Sequence, residues 1–226
     1  RGYNRFLAVI RALDLLQERR EIHARNVAVP PMKGLREWVK RETKLGNPAL
    51  EVEVSKAQDP DLILALNWST DVNESVRRIV RDVPPFPYVR ESLERLKGKA
   101  DAIVVSQTPS EALVREWREH EIDQYIGIIA GQELGTKTEH IAFAAKGKYP
   151  QGKMLMIGDA PGDYRAAKAN EALFFPINPG HEEDSWQRFH DEGLDRFFSG
   201  SYAGEYEEKL VAEFNTYMPE KAPWQS

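Results

Sequence analysis

The chain has 226 residues, 31 Lys and Arg against 36 Asp and Glu for a formal net charge of −5, and no cysteine. Without cysteine there are no disulfides, no thiolate zinc ligands and no thiol nucleophile. The mild acidity argues against a nucleic-acid surface, which needs clustered Lys and Arg to displace phosphate counterions.

No window holds the ~18 or more consecutive apolar residues of a membrane span, and no apolar h-region followed by small residues opens the chain. A cytoplasmic protein with no membrane or nucleic-acid partner is therefore expected. At roughly 150 residues per domain, the length suits one large domain or two small ones. Residue 1 is Arg, and Arg1-Gly2-Tyr3-Asn4-Arg5-Phe6 runs straight into a helical pattern. The expectation is that the chain starts partway through a protein.

From the start to residue 82 every periodic segment reads as helix. Phe6, Val9, Ile10, Leu13 and Leu16 recur every three or four residues as one apolar stripe. Pro30-Pro31 opens a second segment with Leu35, Trp38, Val39 and Leu45 on its buried side. Asn47-Pro48 has the look of an N-cap followed by proline at the first helical position. Inside that third segment, Glu51-Val52-Glu53-Val54 alternates and equally suits a short strand. Asp59-Pro60-Asp61 caps a fourth helix running toward Ile79-Val80.

Pro84-Pro85-Phe86-Pro87 is a break that no helix crosses. Beyond it, short apolar runs alternate with amphipathic stretches. Ala102–Val105 precedes a helix over 110–120, Tyr125–Ile129 one over 138–146, and Met154–Ile157 one over 164–170, before Leu173-Phe174-Phe175. Alternating strands and helices imply β-α-β crossovers and a parallel sheet buried on both faces. The expected fold is thus α/β, with an all-helical domain over 1–82 and a doubly wound, Rossmann-like parallel sheet over 83–226. A final helix is expected over 202–218, with a loose end from Pro219.

Ligands of an open parallel sheet bind at the carboxyl ends of its strands. Ser106-Gln107-Thr108-Pro109 follows the first apolar run there, and Gly158-Asp159-Ala160-Pro161-Gly162-Asp163 follows the third, with Gly135-Thr136-Lys137-Thr138 between them. A hydroxyl, a lysine and two carboxylates at one sheet edge suit phosphate chemistry.

In this order the residues resemble the haloacid dehalogenase superfamily over roughly residues 84 to 178. Ser106 fits the family's strand-ending Ser or Thr, Lys137 its downstream lysine, and Gly158-Asp159 with Asp163 its G-D-x-x-x-D acidic pair. The resemblance implies that residues 1–82 form an inserted helical cap. It also implies an aspartate nucleophile, usually in D-x-D, after a central first strand. Asp59-Pro60-Asp61 has the letters but follows Ser55-Lys56-Ala57-Gln58, which is no buried strand, and helix capping explains it better. Asp14 is followed by Leu15 and Leu16, where a carboxylate and small residues belong. The resemblance therefore places the nucleophile upstream of Arg1, with the first strand supplied by an N-terminal segment or a second chain.

The activity that the resemblance implies is that of a Mg²⁺-dependent phosphohydrolase acting on a small phosphorylated metabolite through an aspartyl-phosphate. Ser106 and the Gln107 N–H would hold phosphoryl oxygen, and Lys137 would offset charge. Asp159 would bind Mg²⁺, and Asp163 would share the metal or orient Lys137. Alternatives are a haloacid dehalogenase-type hydrolase needing no Mg²⁺, a phosphoryl-accepting receiver domain, and a degenerate, non-catalytic binding module. His140 and Glu139 lie close to Lys137 in sequence but are read as packing or surface residues.

Overall fold

A computed structural model of the chain describes residues 4–108 and 110–218. Pro109, the first three residues and the tail expected from Pro219 lie outside the described residues. The chain divides into two compact units, Gly2–Val83 and Pro84–Ser226.

The first unit is helical, with α1 Arg5–Glu18, α2 Arg20–Ala24, α3 Lys33–Arg41, α4 Asn47–Ala57 and α5 Pro60–Ile79. Asn4 caps α1 by accepting from Phe6 N–H at 3.0 Å and donates from Nδ2 to the Leu45 carbonyl at 2.9 Å. Asp59 caps α5, accepting from Asp61 N–H at 2.8 Å and Leu62 N–H at 3.3 Å, with Pro60 in the first turn. The stripes meet in one core of Phe6, Leu35, Trp38, Leu50, Leu62 and Ala65, where the Phe6 ring stands edge-on to Trp38 at 5.3 Å.

The alternating Glu51–Val54 run is helix rather than strand. Leu50 and Val54, four apart, both turn into the core while Val52 stays 52% exposed, which only a 3.6-residue period allows. The cap of α4 is Gly46 rather than Asn47, because Asn47 Oδ1 instead accepts from the Ser69 hydroxyl at 2.6 Å.

The second unit alternates strand and helix: α6 Val89–Leu96, β1 Ile103–Val105, α7 Ser110–Glu119, β2 Ile128–Ala130, α8 Lys137–Ala145, β3 Leu155–Gly158, α9 Pro161–Ala169 and β4 Leu173–Pro176. Three more helices follow, α10 Glu182–Arg188, α11 Leu194–Ser199 and α12 Glu205–Thr216, with a π-helical turn at Phe189–Gly193 joining α10 to α11. The last helix starts at Glu205 rather than 202, after Gly204 at φ 85°. Tyr202, just before it, is buried and serves the sheet instead.

All pairing is parallel, β1 with β2 and β3 with β4. Successive β3–β4 side chains go to opposite sides. Leu155, Ile157, Leu173 and Phe175 join the core of Phe189, Leu194 and Tyr202, whereas Met156 and Phe174 join Ile141, Ala166 and Phe214. The apolar strands are thus covered by helical segments on both faces, the condition under which parallel pairing is found.

The expected single sheet is instead two pairs, with no ladder joining one to the other among the described residues. The reason is readable in the hydrogen bonds. Ala102 O accepts from Gly127 N–H and Ser106 N–H donates to Ala130 O, so the even-numbered peptide groups of β1 face β2. Met154 O and Gly158 O accept from Leu173 and Ile177, so the even-numbered groups of β3 face β4. The odd-numbered groups of Ile103, Val105, Leu155 and Ile157 turn the other way. Among the described residues no hydrogen bond reaches them. Val105 packs against the same core cluster as Met156.

The far side of β4 is different. Phe174 N–H donates to Glu207 Oε1 at 2.9 Å and Phe174 O accepts from the Tyr202 hydroxyl at 2.8 Å, so side chains satisfy that edge.

Candidate functional site

Three loops at the carboxyl ends of β1 and β3 and at the start of α8 carry the chemistry-bearing residues, and a chain of contacts links them. Ser106 directly follows β1. Its N–H continues the ladder to Ala130 O at 2.9 Å, and its hydroxyl accepts from Thr108 N–H at 3.1 Å in a local turn. Exposed Gln107 donates from Nε2 to the Gly135 carbonyl at 3.1 Å, tying this loop to the one that precedes α8.

Gly135 has φ 129°, a conformation that L side chains rarely adopt. Thr136 and Glu139 then form a reciprocal cap. Glu139 Oε2 accepts from Thr136 N–H at 2.8 Å, and the Thr136 hydroxyl accepts from Glu139 N–H at 3.3 Å. The cap makes Lys137 the first helical residue, one earlier than the periodicity suggests.

From there Lys137 Nζ makes an ion pair with Asp163 Oδ1. Asp163 sits in the first turn of α9, which starts at Pro161, ahead of the expected 164. Its other oxygen, Oδ2, accepts from Asp159 N–H and Ala160 N–H, each at 3.1 Å. The Asp163 side chain is 2% exposed and that of Lys137 25%. A carboxylate buried to that degree requires such partners, because leaving water is otherwise costly.

Gly158 makes room for this arrangement. A Cβ there would lie 2.4 Å from Asp163 Cβ and 2.5 Å from Oδ2. The glycine of the G-D-x-x-x-D run is therefore the floor on which the buried aspartate rests.

The contacts bring Lys137, Asp159 and Asp163 together, and they link Gln107, adjacent to Ser106, to the loop of Lys137. The sequence pattern includes Gly135, Thr136 and Glu139, but it does not reveal the positive φ of Gly135 or the packing role of Gly158. The Thr136–Glu139 cap also went unread, and the Thr-x-x-Glu spacing was the available signal for it. His140 is 5% exposed, and among the described residues neither of its ring nitrogens has a hydrogen-bond partner.

Among the described residues there is no group of three or more His, Cys, Asp or Glu placed to hold a metal ion. Asp163 accepts from the Lys137 ammonium through Oδ1 and from two backbone N–H groups through Oδ2, the arrangement of a carboxylate that fixes where Lys137 stands. Half-buried Asp159, on the last turn of backbone before α9, fits a cation by donor type and position. Among the described residues no helix is long and apolar enough to cross a membrane.

A family model described as haloacid dehalogenase-like hydrolase matches residues 3–170, from the helical unit through α9. No curated protein and no solved structure matches the chain.

Proposed function

Since this chain belongs to the haloacid dehalogenase-like hydrolases, we propose that it is a phosphohydrolase acting on a small phosphorylated metabolite with Mg²⁺. The observation that carries this reading is the Lys137–Asp163 ion pair, anchored on Asp159 and Ala160 N–H at the carboxyl end of a parallel strand. A fixed ammonium suits phosphoryl oxygen, whose charge is stabilised by donors already in place, and the Gln107–Gly135 hydrogen bond ties the loop of Ser106 to that of Lys137.

In this reading Ser106 and the Gln107 N–H hold a phosphoryl oxygen. Lys137 offsets charge, and Asp163 acts through Lys137 by fixing where its ammonium stands. Asp159 is the residue that would hold Mg²⁺, whose contribution is to neutralise phosphoryl charge. The helical unit takes the family's cap role, the part that selects substrate.

The nucleophile this mechanism needs is an aspartate on a further strand, from a segment preceding Arg1 or from a second chain. The odd-numbered groups of β1 and β3, open on the side away from their partners, support such a strand. Its carboxylate attacks phosphorus as the ester P–O bond breaks, and the leaving alkoxide takes a proton from water. A second water then cleaves the aspartyl-phosphate, releasing inorganic phosphate and restoring the carboxylate.

The test is a screen of the natural protein against small phosphate esters, with and without Mg²⁺, alongside Lys137→Ala. Phosphate release that needs both Mg²⁺ and Lys137 is expected. Halide release from haloacids without Mg²⁺, or no turnover of any ester, overturns the reading.

A further inference from the structure

Helix α5 buries one face and leaves apolar side chains exposed beside it, of which Trp68 also meets the Phe6 ring edge-on at 6.5 Å and Val72 is half-buried. Leu62, Ala65 and Ser69 turn into the helical core. Leu64, Trp68, Val72 and Val76 follow one another at four-residue steps, with Ile79 three further on, so they form one stripe beside the buried face. Leu64 is 56% exposed, Val76 45% and Ile79 72%. A stripe of this length on a solvated helix face costs free energy in water and marks an interaction surface.

The polar border of the stripe identifies its occupant. Asp71 and Arg78 line a shallow recess with Glu74 and Ser75 on one side of it. They are opposite in charge and lie at equal distances on either side of the Glu74–Ser75 peptide. In an antiparallel pair of α5 helices whose two-fold axis passes between them level with that peptide, Asp71 of each copy stands opposite Arg78 of the other. In the same register Trp68, Val72, Val76 and Ile79 of one copy fall between those of the other, as ridges into grooves. A two-fold interface needs a self-complementary patch, and this one carries both the apolar seam and both charges.

We infer that the exposed apolar stripe of α5 binds a second copy of this chain, antiparallel, with reciprocal Asp71–Arg78 ion pairs. The inference is independent of the reaction the protein catalyses. A single helix face lies below the size of standard stable interfaces, so the dimer is concentration-dependent.

Sedimentation velocity of the natural protein across roughly 1 to 100 micromolar tests it. Reversible dimerisation is expected, with about tenfold weaker association in Arg78→Glu and in Asp71→Arg, and recovery in the double swap Asp71→Arg with Arg78→Asp. Both positions are exposed, and unchanged circular dichroism checks the fold of each variant. A monomer at every concentration, or a double swap as weak as the single variants, overturns the inference.

Discussion

Lys137 and Asp163 come from different helices, 26 residues apart in sequence, and meet as an ion pair at the carboxyl end of β3. The pair is asymmetric in what it holds. Asp163 also gathers the N–H groups of Asp159 and Ala160, so removing the carboxylate strands three donors, whereas removing the amine strands one acceptor. Asp163→Ala should lower stability by about 3 kcal/mol and Lys137→Ala by distinctly less. Urea denaturation midpoints check the order, and equal losses contradict it.

Gly158→Ala should damage the same site without touching a charge. The added methyl would stand 2.4 Å from Asp163 Cβ, and both atoms are held by backbone, so Asp163 must move off its donors. A loss of about 2 kcal/mol or more is expected, non-additive with Asp163→Ala because both variants break one network. Measured additivity would separate the two residues.

Asp159→Asn separates chemistry from folding. Its side chain is half-buried at the strand end, and the substitution keeps its shape. Mg²⁺-dependent phosphate release by the natural protein should fall by about 100-fold or more in a variant whose circular dichroism shows it folded. Full activity would remove Asp159 from the metal assignment.

Asp59→Ala distinguishes a cap from a nucleophile. The carboxylate accepts from Asp61 and Leu62 N–H at the start of α5, so its loss should cost about 1 kcal/mol. Turnover per folded molecule should be unchanged, and Asp59→Asn should recover most of the stability. Abolished turnover in a folded Asp59→Ala would make Asp59 catalytic.

At alkaline pH, Tyr206 sets a limit. Burial, reinforced by the Glu192 carboxylate that accepts its hydroxyl, pushes it up to about 12. Burial moves the neighbouring Tyr202 upward as well. The folded state thus holds these protons more tightly than the unfolded state. The Tyr206 contribution is complete below about pH 10 and is lost as pH rises through about 12, and that of Tyr202 is lost higher still. Urea midpoints of the wild type should fall across that interval, and Tyr206→Phe should fall less steeply.

Local signals carried much of this architecture. Asp59-Pro60 announced the start of α5, and the proline run at 84–87 coincides with the division between units. The apolar runs located each strand to within a few residues because buried parallel strands must be continuously apolar. Contacts between distant segments were invisible. Nothing adjacent to Phe174 indicates that Glu207 and Tyr202 serve its peptide, and Gln107 carries no mark of Gly135. Glu51–Val54 misled because a four-residue window fits a period of two as well as one of 3.6 until Leu50 is included. At the site, the sequence contains Lys137, Asp159 and Asp163 without indicating which carboxylate turns back under Gly158 to take the Asp159 and Ala160 N–H groups.

The side chains along the outer edge of β4 give strand addition a direction. Parallel sheets enlarge by lateral docking, and an incoming strand needs bare peptide groups to dock on. At Phe174 both groups are already bonded, one to a buried carboxylate and one to a buried hydroxyl, so docking there would have to evict Glu207 and Tyr202. β4 acts as a terminator. Any strand that joins the β3–β4 pair is directed to the β3 flank, and the opposite flank is closed to stray edge-to-edge association.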